Sequence, residues 1–134
     1  MCDWPSKYDI QYAGANNPLI LIRNNELTVI KADKMPVAYS DAYGNRTFTN
    51  NLIPLLPNDC IYIFSDGYAD QFGSSEDKDK TVKFLSKRMK AELLNVCHLP
   101  MNQQKIIMEN HHDKWKGKQE QTDDVLLIGI RIWW

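Results

Sequence analysis

Apolar and polar residues alternate from Tyr8 to Tyr12, the period of a half-buried strand. The alternation stops at Ala13-Gly14-Ala15-Asn16-Asn17-Pro18, a cluster of turn formers. Residues 19–23 and 27–31 then flank Asn24-Asn25-Glu26 and predict a hairpin. A polar loop with Gly, Asn and Pro is expected up to about Arg46. Two more strands are expected over 47–54 and 60–64, joined by the turn Leu56-Pro57-Asn58-Asp59. The second of these, Cys-Ile-Tyr-Ile-Phe, is almost wholly apolar and predicts a central strand covered on both faces. It leads straight into Ser65-Asp66-Gly67.

Residues 73–80 are polar and acidic and read as a surface loop. From 81 to 95, Val82, Leu85, Met89 and Leu93 recur on one face opposite Lys and Arg, which predicts a helix. Pro100 suits the first turn of a second helix, along which Met101, Met108 and Trp115 repeat every seven residues. Gly117 is placed to close that helix as its C-terminal cap. A last strand is expected over 125–132, entered through Thr122-Asp123-Asp124. No repeat or linker interrupts the order, so residues 1–134 read as a single unit. Strands, then two helices, then a closing strand fit an α+β layered domain with mostly antiparallel pairing.

Composition narrows the function classes. At 134 residues, with 43% hydrophobic and 25% charged side chains, the chain has the makeup of a globular domain or part of one. Sixteen Lys and Arg against seventeen Asp and Glu leave a net charge of −1. That balance gives no pull toward nucleic acid or an anionic membrane, and neither is expected as a partner. The longest apolar run, 125–130, is strand-sized, so no membrane segment is expected. The first residues have neither a basic nor an apolar leader stretch, so no signal peptide is expected. Cys2, Cys60 and Cys97 are odd in number and widely spaced, which suits reduced thiols and a cytoplasmic location.

Two acidic features carry the candidate chemistry. Asp66 follows an apolar strand and precedes Gly67, which permits a sharp turn or a close backbone approach. Asp123 and Asp124 stand just before the closing apolar strand. Carboxylates at the ends of buried strands are held by a stiff scaffold, and hard cations such as Mg²⁺ and Mn²⁺ take such oxygen ligands. Each feature alone also reads as a plain turn. Together, at matching ends of two strands, they strengthen the metal reading if those strands are neighbours, with the plain-turn reading still open. Other arrangements fall away. Asp66-x-Tyr68-x-Asp70 breaks the EF-hand pattern at Tyr68. His111 and His112 are adjacent in a helix and face different ways, and Cys97-His98 is a sequence neighbour pair and no catalytic dyad. No phosphate-binding glycine loop, HExxH or GxSxG occurs.

Three blocks resemble a known family. Tyr12-Ala13-Gly14-Ala15-Asn16-Asn17-Pro18, the run from Ile63 through Ser65-Asp66-Gly67 to Gly73, and Gln121-Thr122-Asp123-Asp124-Val125 with the apolar stretch to Gly129 carry the likeness. In order and spacing they resemble the C-terminal part of the SpoIIE/RsbU-type branch of the PPM metal-dependent serine/threonine phosphatases. The resemblance implies an antiparallel β-sandwich flanked by helices, with a two-metal centre of Mn²⁺ or Mg²⁺. It implies Asp66 and Asp123 as metal ligands, with Gly67 and Asp124 in supporting roles. The implied reaction is hydrolysis of phosphoserine or phosphothreonine on a signalling protein, of the anti-sigma-factor-antagonist kind, by a metal-activated water. Such domains end larger bacterial proteins, so an upstream sensor domain is implied as well.

The chain departs from the family pattern in one respect. The Gly-Asp and Gly-His-Gly block that brings further metal ligands is absent from the first fifty residues. The chain therefore resembles about the C-terminal two-thirds of such a domain, with little or no activity expected of it alone. Ile61, Ile63, Leu126 and Ile128 are then expected to lack cover, which invites a homodimer through exposed sheet faces. An alternative reading is a non-catalytic, phosphatase-like interaction module, with Trp133 and Trp134 as interface anchors.

Overall fold

Asn24 and Asn25 take φ of 50° and 61°. That left-handed pair makes a two-residue turn whose twist matches the strands on either side. It folds β2 (Leu19–Arg23) onto β3 (Glu26–Ile30) in register, with Arg23 opposite Glu26. The expected three-residue connection is thus two residues long, and Glu26 belongs to the strand. This computed structural model describes residues 8–38, 44, 46–74 and 80–133. Cys2, the stretches 39–43, 45 and 75–79 of the two expected loops, and Trp134 lie outside the described residues.

The main sheet has four strands in the order β3-β2-β5-β8, every neighbour antiparallel, with β5 spanning Cys60–Phe64 and β8 Leu127–Arg131. Strand alternation sorts its side chains onto two faces. Ile20, Ile22, Cys60 and Tyr62 pack with Met89, Leu93 and Val96 of α2 (Ser86–Val96) and Met108 of α3 (Met101–Lys116). Leu19, Leu21 and Ile61 face the other way, against Ile53 and Leu55. That second cover comes from β1 (Asp9–Tyr12) and β4 (Asn51–Pro54), which pair with each other as a separate antiparallel ribbon. The result is the expected α+β layering with antiparallel sheets and helices.

The cover by β1 and β4 is short, and two expectations change with it. Ile61 is buried under the ribbon, whereas Ile63, Leu126 and Ile128 are 36%, 53% and 40% exposed. β5 is therefore buried on both faces only over Cys60, Ile61 and Tyr62. Strand β4 is also shorter than the expected 47–54, and β8 shorter than 125–132.

The largest correction is the helix expected over 81–95. Thr81–Lys83 is a strand, β7, paired with β6 (Phe72–Ser74), and α2 starts only at Ser86. Phe84 N–H donates to Gln71 O and Leu85 N–H to Ala69 O, at 3.0 and 2.8 Å. These bonds hold Leu85 at φ 77°, where no helix can continue. The 82/85/89/93 spacing has a helical period by coincidence, since Val82 and Leu85 are exposed and only Met89 and Leu93 reach the core. The second helix forms as expected, capped by Gly117 at φ 53° with its N–H donating to Asp113 O. Cys60 and Cys97 are buried and free. Trp133 is exposed. Among the described residues no helix is long and apolar enough to cross a membrane.

One buried charge pins the lower end of the sheet. Asp59, 1% exposed, accepts from Arg23 Nε at 2.9 Å and Nη2 at 2.6 Å, and from Leu56 N–H at 2.8 Å. Arg23 Nη2 also donates to Pro54 O, which ties the ribbon to the sheet. Removing the carboxylate leaves the partly exposed Arg23 guanidinium and the Leu56 N–H without their acceptor, so Asp59→Ala is expected to cost about 2 kcal/mol in urea unfolding. A second expectation concerns alkaline pH. Burial pushes the Tyr62 and Tyr68 hydroxyls well above their ordinary 10.0, and the Glu92 carboxylate adds to the shift at Tyr68. Both phenols stay protonated in the fold, so their contribution is complete below pH 10 and falls as pH rises past it. Tyr68→Phe is expected to flatten the alkaline loss of stability in a pH-dependent melting series.

Candidate metal centre

Strands β5 and β8 pair with Ile63 opposite Ile128 and Phe64 opposite Leu127. The C-terminal end of one strand therefore lies beside the N-terminal end of the other. Beyond the ladder, Ser65 continues the contact. Its N–H donates to Leu126 O at 3.0 Å, and its hydroxyl donates to Asp124 O at 2.8 Å while accepting from Leu126 N–H at 2.9 Å. Gly67 is pressed against the same carbonyl, for a Cβ there would sit 2.2 Å from Asp124 O and 3.2 Å from Val125 Cγ2. The Asp-Gly and Asp-Asp segments, far apart in sequence, are thus in direct backbone contact.

The carboxylates stand at the outside of this junction. Asp66, Asp123 and Asp124 are all exposed. Asp66 opens the short helix α1 (Gly67–Asp70) through its backbone, its C=O accepting from Asp70 N–H at 2.9 Å. No side-chain capping bond uses its carboxylate. Asp123 Oδ1 accepts from Asp124 N–H at 2.8 Å, which sets the local turn. Asp70 is drawn away to Lys83 at 3.3 Å. His111 is exposed beside Glu92, at 3.3 Å, while His112 is buried against the Tyr68 ring. The two imidazoles therefore have separate surroundings, as their adjacency in a helix dictates.

Ser65 was not singled out by the sequence, although it stands in the Ser-Asp-Gly block. Its bridge depends on a neighbour strand, so the only signal available was its position directly after an apolar strand.

The donors suit a hard divalent cation in kind, since all are carboxylate oxygens on a stiff strand junction. They are few in number. Among the described residues no three His, Cys, Asp or Glu side chains gather into a metal cluster. The residues present fit one flank of a metal centre, where a hydrated ion takes one or two carboxylates and completes its shell with water.

Comparison with known proteins bears on the family and the fold. The sequence pattern of the family described as Stage II sporulation protein E (SpoIIE) matches residues 5–133. The chain belongs to the SpoIIE family. The fold of this SpoIIE-family chain is similar to the SiaA-PP2C domain of Pseudomonas aeruginosa, with a TM-score of 0.80 at 22% identity over 92% of the chain. It is also similar to the SpoIIE phosphatase domain of Bacillus subtilis, with a TM-score of 0.55 at 16% identity over 93% of the chain. A further structure of that domain, presoaked with manganese, gives a TM-score of 0.55 and 16% identity. The chain spans 46% of the Pseudomonas structure and 51% of the Bacillus one, about half where two-thirds was expected. No curated protein matches the chain.

The contact at Gly67 makes a direct test of the junction. Gly67→Ala sets a methyl against backbone, which cannot swing aside as a side-chain tip can. The substitution is expected to cost about 2 kcal/mol in unfolding, a typical cost of overpacking. It is also expected to shift the amide resonances of Ser65, Asp124 and Leu126 while leaving those of α3 in place.

Proposed function

We propose that this chain forms the Asp66 and Asp123 side of the metal centre of a protein serine/threonine phosphatase. The observation that carries the reading is the contact of Gly67 and Ser65 with the Asp124 carbonyl, which joins the two acidic segments. Asp66 and Asp123 bind the cation through their carboxylates. Asp124 holds its segment against Gly67 and Ser65, and Gly67 leaves the space that this approach needs. Mn²⁺ or Mg²⁺, when bound, supplies the Lewis acidity that activates water and offsets charge on the phosphoryl group. The exposed carboxylates stand at the strand ends, where a phosphorylated loop of a protein substrate has access. By family likeness that substrate is a phosphoserine or phosphothreonine signalling protein of the anti-sigma-factor-antagonist kind. The same likeness supports a cytoplasmic setting and control by an upstream sensor domain.

Two carboxylates hold a hydrated ion weakly, because affinity follows ligand charge and number. The 134-residue chain alone is therefore proposed to have little or no turnover. The small donor set also favours a second reading, a phosphatase-like interaction module without catalysis.

Paramagnetic Mn²⁺ tests the site directly. Titration into the chain is expected to broaden the amide signals of Asp66, Gly67, Asp123 and Asp124 first, with a dissociation constant on the order of 1 mM. Asp66→Asn with Asp123→Asn is expected to abolish that selectivity. Broadening that ignores the double substitution would remove these residues from the site. No selective broadening in either protein would leave the interaction module as the better reading. Mn²⁺-dependent hydrolysis of a phosphoserine peptide, lost in Asp66→Ala, would overturn the proposed inactivity.

A further inference from the structure

Asp66 opens α1, and that short helix is anchored by Tyr68, two residues on. The Tyr68 side chain is buried, with the Phe84 ring edge-on at 5.4 Å and the His112 ring tilted against it at 5.1 Å. Two acceptors lie within reach of its hydroxyl, Met108 O of α3 at 2.9 Å and Glu92 Oε2 of α2 at 3.3 Å. A phenol has one proton to donate, and the Met108 carbonyl alone satisfies it. Glu92 is therefore not required to keep a buried hydroxyl paired.

A carboxylate in that place has a cost. The Glu92 side chain is only 19% exposed, and drawing a charge out of water is unfavourable unless partners offset it. Tyr68 meets one of its oxygens, and His111 Nδ1 of α3 stands 3.3 Å from the other. Glu92 thus bridges α1 to α3 from its place on α2, and His111, 45% exposed, brings the bridge to the surface. The surrounding charges are engaged elsewhere or stand further off. Arg88, one turn before Glu92, lies over the Phe84 and Trp115 rings at 5.2 and 4.5 Å. Asp70 of α1 pairs with Lys83, and Asp113 lies 3.8 Å from His112 Nδ1. Lys114 stands one turn beyond His111. Histidine is the side chain whose charge changes near neutral pH. Protonated, His111 makes a charge-assisted bond that fixes the carboxylate against Tyr68. Neutral, it leaves the carboxylate tethered at one end.

We propose that Glu92 is a positioning residue for Asp66, acting through Tyr68, and that the charge on His111 sets how firmly it holds α1. The role rests on the reading of Asp66 as a metal ligand, since the placement of this turn then governs how well the carboxylate meets the ion. Partly exposed ion pairs act weakly, so the expected effect on Mn²⁺ affinity is about threefold.

Nuclear magnetic resonance of the full chain from about pH 5 to pH 8, above the ordinary carboxylate range, tests the link. Without metal, the amide shifts of Asp66, Gly67 and Tyr68 are expected to follow the titration of the His111 imidazole. Glu92→Gln keeps the side-chain length and an acceptor for Tyr68 but loses the charge. It is expected to leave the chain folded and to abolish that coupling. With Mn²⁺ at about pH 5.5, Glu92→Gln is expected to need about threefold more metal to broaden Asp66, the gap closing toward pH 8. A through-space effect of the lost charge alone gives the opposite trend, because Glu92 is least neutralised when His111 is neutral; that trend overturns the proposal. So do amide shifts that ignore His111, that follow His112 instead, or that persist in Glu92→Gln. Mn²⁺ binding at Asp66 and Asp123 that is indifferent to Glu92→Gln at every pH removes the positioning role and leaves the metal reading standing. Coupling without metal, together with no Mn²⁺ broadening, upholds the grip of Glu92 on the turn and removes the metal reading.

Discussion

The pairing of β5 with β8 is the constraint on which the rest of this chain depends. It joins the final strand to the central one, so the last element of the sequence closes a sheet begun by the hairpin β2–β3. It also fixes where the acidic segments fall. Because the strands are antiparallel, the residues that follow β5 and those that precede β8 meet at the same end. Ser65 then extends the ladder with its hydroxyl, and Gly67 permits a backbone approach that a Cβ would block. The candidate centre follows from strand pairing, with the carboxylates carried on its rim.

The opposite end of the same pair is held by different chemistry. Asp59 sits at the foot of β5, buried and satisfied by Arg23 and Leu56, while Ile132 N–H donates to Asp59 O at 2.9 Å. A charge network therefore closes one end and a hydroxyl–carbonyl clip the other. Between them the helix-facing side is packed over β2 and β5, with a groove left between β8 and α3. The ribbon-facing side is packed only over its lower half. The stiff scaffold, the acidic rim and the uncovered isoleucines are thus parts of one layered arrangement, shared in fold with structures about twice as long.

Much of this was legible in the chain. The five-residue apolar run over 60–64 and the capping residues Pro100 and Gly117 mark their elements directly, because burial and capping leave local signatures. The acidic blocks were legible as blocks, each beside an apolar strand. The hairpin β6–β7 was not legible. Its strands are three residues each, one contains a glycine, and Val82 happens to fall on the period of the helix that follows. A pattern that short cannot distinguish a strand from a helix start, and the backbone bonds of Phe84 and Leu85 decided the matter.

By itself, the sequence determined the element types outside α1 and the β6–β7 hairpin, a hairpin turn at Asn24 and Asn25, the family and the identity of the acidic residues. Those properties depend on side-chain type and local period. Only the tertiary structure decided that Ser65 clips Asp124, that Ile61 is covered while Ile63 is not, and that Asp59 serves as a buried anchor. Each of these depends on which strand lies beside which, and on how far the β1–β4 ribbon reaches. Neighbour relations across tens of residues leave no periodic trace in the chain, because the partner that satisfies a hydroxyl or covers an isoleucine comes from elsewhere in the fold.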